Sequence, residues 1–223
     1  MTPKQKYKQF INLNFPKLQI KQSLFYNWNI GLRFDLQVGE TDTDEYFRTV
    51  QARATKLFEA SFLPGDNIFV ILNDYKWKRL KIRFKNYAFN QIDNLRKDNV
   101  SYLKTSGLYE PEDKFDKWNQ AIIQTTVDKV NYKNIIAAIG HTDFPPRQPS
   151  LDEYGGLSSK EIYFINLDRP LIYNMYDDRG LDIIASDIST IEPIYKNHND
   201  WIFDYDRELI DNQMKINGVQ QEI

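Results

Sequence analysis

The sequence predicts an α+β fold, with a mainly antiparallel sheet, helices packed on one face of it and a C-terminal helical segment. Three observations carry this. Residues 30–37, "IGLRFDLQ", alternate apolar and polar side chains as a half-buried strand does. Residues 44–62 place Phe47, Val50, Ala54, Leu57, Phe58 and Phe62 on one helical stripe. From Glu161 to Ser186, "EIYFINL", "LIYNMYD" and "LDIIAS" are three short strands joined by "DRP" and "DDRG", an antiparallel meander.

The remaining elements follow in chain order. "YKQFINLNF" brings Tyr7, Phe10 and Ile11 to one helical face, and Pro16 ends it. The helix over 44–62 has Thr and Asp cap candidates before it and is stopped by "LPGD". "NIFVILNDY" is apolar at consecutive positions, as a strand covered on both faces would be. In 79–85, Leu80, Ile82 and Phe84 alternate with Arg79, Lys81, Arg83 and Lys85, which predicts a strand with one basic face, joined to 67–73 through a hairpin at "DYKWK". The pattern is weak from Asn86 to Lys114. Residues 121–127 read as a β-branched strand or a helix, and Tyr132–Ile139 as a short helix ended by Gly140. The Pro- and Gly-rich stretch 144–159 is a loop, "IEPIYKNH" and "WIFDYDRELI" are helical, and 214–223 is a frayed tail. Residues 1–223 are expected to form a single domain.

Composition narrows the function classes. The 223 residues contain no Cys, which excludes disulfides, thiolate metal sites and thiol nucleophiles and fits a reducing compartment. The N-terminal stretch lacks the apolar core of a signal peptide, and no apolar run reaches about 18 residues, so the expectation is a cytoplasmic protein without a membrane partner. Net charge is only -2 but unevenly spread. Residues 1–33 carry six bases and no acid; residues 187–211 carry seven acids against Lys196 and Arg207.

Three constellations are candidates for function. Asp177, Asp178, Arg179 and Gly180 form the corner between two strands, with Gly180 expected at a positive φ; aspartates around it, Asp182 and Asp187 included, are the material for a metal-dependent alternative. Arg79, Lys81, Arg83 and Lys85 make a basic strand face, flanked by Trp77 and Tyr87, suited to nucleic acid. Trp201, Asp204, Tyr205 and Glu208 make an acidic, aromatic stripe suited to a basic protein partner. Enzyme signatures are absent: His141 and His198 are far apart, and there is no phosphate loop, nucleophile elbow or HExxH. No cofactor and no metal site is assigned.

The segments "DFPPR" (Asp143, Phe144 and Arg147), "YFIN" (Tyr163 to Asn166), "MYDDRG" (Met175 to Gly180) and "NDWIFDYDRE" (Asn199 to Glu208) resemble those of a bacterial domain of unknown function, number 3885, and the N-terminal half looks like the same family. The resemblance implies that 144–159 lies inside one unit. It brings no established activity, only a setting beside secreted-toxin and immunity loci. The leading expectation is therefore a non-enzymatic, immunity-like protein-binding module that occludes a toxin or effector. In it, the charges of the Asp177–Gly180 turn brace the acidic aromatic helix.

Overall fold

The computed structural model describes residues 1–75, 82–152 and 160–219. Its seven strands are β1 (Gly31–Asp35), β2 (Asn67–Tyr75), β3 (Val100–Ser106), β4 (Lys117–Thr126), β5 (Lys160–Asn166), β6 (Leu171–Met175) and β7 (Gly180–Ala185). They form one sheet in the order β1-β7-β6-β5-β2-β4-β3, with every pairing antiparallel. The meander β5-β6-β7 is therefore as expected, and β1 closes its outer side with Arg33 opposite Asp182 and Asp35 opposite Gly180. The helices are α1 (Pro3–Asn14), α2 (Asp44–Ser61), α3 (Tyr87–Asn90), α4 (Tyr132–Gly140), α5 (Ile188–Asn197) and α6 (Arg207–Val219). Among the described residues no helix is long and apolar enough to cross a membrane.

Side-chain alternation along the strands builds two cores. Leu32, Phe34, Val70, Phe164, Tyr173 and Ile183 face α2, α4 and α5, where Phe58 is stacked between Phe62 and Tyr132 with ring centroids 4.4 and 4.1 Å away. Their neighbours Phe69, Ile71, Tyr163, Ile172 and Ile184 face the other way, onto Tyr7, Ile11 and Phe15 of α1 and the segment after it. The α+β class stands, with α1 adding a layer on the second face of the sheet. That helix starts earlier than its apolar spacing indicates, because Thr2 and Gln5 form a capping box and Pro3 occupies the first turn. In α2 the Thr43 hydroxyl accepts the Tyr46 N–H, and the helix ends at Ser61.

Several expectations change. The hairpin between 67–73 and 79–85 does not form, because β2 runs on to Tyr75 and is paired on both sides, with β4 and β5. Ile82 to Lys85 are not a strand; Ile82 is buried and Phe84 packs edge-on against Phe89, so the alternation there reflects an irregular segment dipping into the core. Arg83 and Lys85 are exposed, and Arg79 and Lys81 lie outside the described residues. Residues 117–126 are a strand, and the weak region before them contains β3. "WIFDYDRELI" is not one helix. The Phe203 N–H donates to the Arg33 carbonyl at 2.9 Å and Ile202 bridges Phe34, so the chain is extended at 202–203, between two 3₁₀ turns, and α6 begins only at Arg207. That helix continues to Val219, into the stretch expected as a tail.

Candidate functional site

The "MYDDRG" turn and the "DFPPR" segment meet at one corner, beside the start of α2. Asp177 accepts the Arg179 backbone N–H at 2.8 Å and the Arg179 Nε at 2.7 Å, and Nη2 donates to it as well. Arg179 thus neutralises the carboxylate two residues before it, and its Nη2 lies 3.9 Å from Asp143. Asp178 accepts the Tyr46 hydroxyl, which itself accepts from Gln37 Nε2 at 3.1 Å. Burial raises the Asp178 carboxyl above its ordinary range, and burial together with Asp178 raises the Tyr46 phenol. The carboxylates of Asp143, Asp177 and Asp178 offer oxygens within 4.8 Å of one another, so among the described residues these three, and not Asp182 or Asp187, converge as a cation would need. Asp182 lies opposite Arg33, and Asp187 caps α5 by accepting the Ser189 N–H.

The other residues of the corner fasten chain to chain. Arg147 donates to Asp42 Oδ1 at 2.8 Å, to the Asp42 carbonyl at 2.7 Å and to Asp44 Oδ1 at 2.9 Å, while its guanidinium lies 4.4 Å from the Phe47 ring. Phe144 packs edge-on against Phe47. Gly180 does not have a positive φ, contrary to expectation; among the described residues the glycines that do are Gly39, Gly65 and Gly107. Glycine is needed at 180 for space: a Cβ would sit 2.3 Å from the Tyr176 hydroxyl and 2.7 Å from the Phe34 carbonyl.

Nor does Arg179 brace the acidic C-terminal segment. That role belongs to Arg33, which in the sequence stands only as one charge on an alternating strand. Arg33 Nη1 lies 3.4 Å from Asp206 Oδ2, and the Tyr26 hydroxyl donates to Asp206 Oδ1 at 2.7 Å. The guanidinium sits within 5.1, 5.3 and 5.6 Å of the Tyr26, Phe203 and Tyr176 ring centroids. On its other side Arg33 Nε lies 3.7 Å from Asp182 Oδ1, while the Phe25 N–H donates to Asp182 Oδ2 at 3.0 Å. Arg207 adds a second clasp, donating to the Asn199 and Ile202 carbonyls.

On this braced segment the predicted stripe divides. Asp204, Tyr205 and Glu208 are exposed, and Tyr205 and Leu209, one turn apart, are 84% and 58% exposed. Trp201 turns away from them toward α2, with Arg53 and Lys56 at 5.2 and 5.9 Å from its ring centroid and His198 stacked on it at 4.8 Å. Arg48 and Lys56, which with Trp201 line an open groove along α2, carry no motif in the sequence. Their only signal is a cation recurring at helical spacing on the polar side of α2.

The "Uncharacterized protein YnaE" of Bacillus subtilis (strain 168) is 23% identical over 210 residues, covering 88% of this chain and 96% of that protein. No solved structure matches. Residues 7–206, which hold nearly all of both cores, the Asp177–Gly180 corner and the braced segment as far as Asp206, match the family described as Domain of unknown function (DUF3885), and the chain belongs to that family.

Proposed function

We propose that this chain is a protein-binding module, immunity-like in its action, that occludes a toxin or effector through Asp204, Tyr205, Glu208 and Leu209. One observation carries the reading. Two large side chains, Tyr205 at 84% and Leu209 at 58% exposure, stand one turn apart, each directly after an exposed acid, Asp204 or Glu208, on a segment held by Arg33, Tyr26 and Arg207. A rigid aromatic anchor beside an aliphatic one, rimmed by carboxylates, favours a partner with a basic surface around an apolar pocket. The pre-formed segment needs little ordering when it binds. The Arg207–Asp204 pair at 3.4 Å is solvent-exposed and does little to neutralise the rim.

The test is recovery of a stoichiometric partner on tagged full-length chain in the native host, comparing wild type with Tyr205→Ala/Leu209→Ala. Both side chains are exposed, so the variant is expected to melt as wild type does while its partner is lost. Equal recovery on both proteins, or no stoichiometric partner on either, ends the reading.

A second reading is favoured by the convergence of Asp143, Asp177 and Asp178, whose oxygens lie within 4.8 Å of one another. It makes the corner a divalent-cation site for a metal-dependent reaction. Two of the three acids already serve Arg179 and Tyr46, which ranks it second. Calorimetry with Mg²⁺, Mn²⁺ and Ca²⁺ decides it: the reading requires heat with wild type that disappears in Asp143→Ala. Arg83 and Lys85 do not lie on a strand, so nothing in their geometry favours nucleic acid.

A further inference from the structure

An open groove of about 480 Å³ runs along the outer side of α2, lined by Glu45, Arg48, Thr49, Ala52, Arg53 and Lys56, with Trp201 as its wall. Its chemistry is one-sided. Three cations face it against one carboxylate, and the other acid at that end, Asp44, is engaged by Arg147. Arg53 is fixed by donating to the Asp35 carbonyl at 3.1 Å and lies against the Trp201 ring. Among the described residues neither Arg48 nor Lys56 has a carboxylate within ion-pair distance, and both are exposed. His198, stacked behind Trp201, is held below its ordinary pKa by burial and by the charge of Lys56, so it adds no further cation near neutral pH.

Arg48, Ala52 and Lys56 follow one another at four-residue intervals, so they lie in a row along the helix. The small Ala52 leaves the floor open between the two cations. Eight residues of helix place Arg48 and Lys56 about 12 Å apart along the axis. An extended chain puts the side chains of one face about 6.6 Å apart, so three acids at alternate positions span about 13 Å.

We propose that this groove docks an acidic protein segment in extended conformation, with carboxylates at alternate positions pairing with Arg48, Arg53 and Lys56 against the Trp201 wall. Two observations favour a peptide over nucleic acid or a phosphate. Trp201 has His198 stacked on its ring, and Arg53 and Lys56 over it, so a base stacking there competes with groups already in place. The groove lies along the flank of a helix, where the N–H groups that cradle phosphates at helix N-termini are engaged in the helix itself. The site is independent of the Tyr205 surface, and opposite in charge to it.

The probe is a fluorescein-labelled peptide of alternating Glu and Ser, titrated with the full chain by fluorescence anisotropy at low and at high salt. Binding is expected at low salt and weakened at high salt. Arg48→Glu/Lys56→Glu is expected to weaken it about tenfold or more, since two exposed ion pairs become repulsions. Lys8→Glu/Lys129→Glu, with the same charge change elsewhere on the surface, and Tyr205→Ala are expected to bind as wild type. Should the glutamate pair lower the melting temperature, Arg48→Gln/Lys56→Gln is read in its place, with a smaller loss. The proposal is overturned if wild type does not bind the peptide, or if the two charge-reversed doubles lose affinity equally. It is overturned as well if a single-stranded oligonucleotide or inorganic phosphate binds more tightly through Arg48 and Lys56.

Discussion

Asp182 is a buried carboxylate with one firm donor, the Phe25 N–H, and one oxygen that has no hydrogen bond among the described residues. Burial pushes its pKa up to about 6, against the partial relief that Arg33 provides. The unfolded chain gives up this proton near the ordinary aspartate value, and the folded chain holds it for about two more pH units. Between those limits the native state binds the extra proton, so the contribution of Asp182 to stability is complete below about pH 4 and is lost as pH rises through about 6. The stability difference between wild type and Asp182→Asn should therefore fall by up to about 3 kcal/mol between pH 4 and pH 7 in urea titrations. A difference that stays flat across that range would mean the Arg33 ion pair fully compensates burial. The same residue marks a limit of sequence reading. Asp182 was noticed as one of several aspartates near Gly180, but the register that puts it opposite Arg33 depends on a strand about 150 residues earlier in the chain. Gly180 was legible as a required glycine, although the requirement comes from the Tyr176 hydroxyl and the Phe34 carbonyl and not from its φ.

At the scale of elements, what could be read was whatever made its own signal. The stripe of α2, the alternation of β1 and the turn-separated strands β5 to β7 are local patterns, and all appear where their residues place them. What was misread depended on partners elsewhere. Leu80, Ile82 and Phe84 alternate as a strand would, but β2 already has β4 and β5 beside it. β3 is an edge strand with only Val100 buried, so its polar sequence carries little signal. The acids of 200–211 keep helical spacing, yet the chain is drawn out at Ile202 and Phe203 to bond with β1. That contact also covers part of an edge that would otherwise offer free hydrogen-bonding groups. It is the reason that Trp201 and Tyr205, four residues apart, face different surfaces: the groove on α2 and the exposed patch at the start of α6.

For the whole molecule, the sheet is what joins the two cores. Ile71 and Leu72 are adjacent in β2 but lie in opposite cores, and so do Tyr163 and Phe164 in β5. Neither layer can come away without uncovering the back of the strands that the other layer packs on, so the chain should unfold as one unit. Phe15, fully buried on the α1 side, and Phe58, 1% exposed on the α2 side, are matched probes of this coupling. Replacing either by Ala removes a buried ring and leaves a cavity, at a cost of about 3 to 5 kcal/mol. Both Phe15→Ala and Phe58→Ala should then shift a single urea transition that is superimposable by near- and far-ultraviolet circular dichroism. A variant large enough in effect to prevent folding would be replaced by Phe→Leu at the same position. If Phe15→Ala instead splits the transition and leaves the α2 side at its original midpoint, the α1 layer is a separate cooperative unit. The corner at Asp177–Gly180 and the patch at Tyr205, which sit on the meander and on β1, would in that case be expected to keep their geometry when α1 is lost.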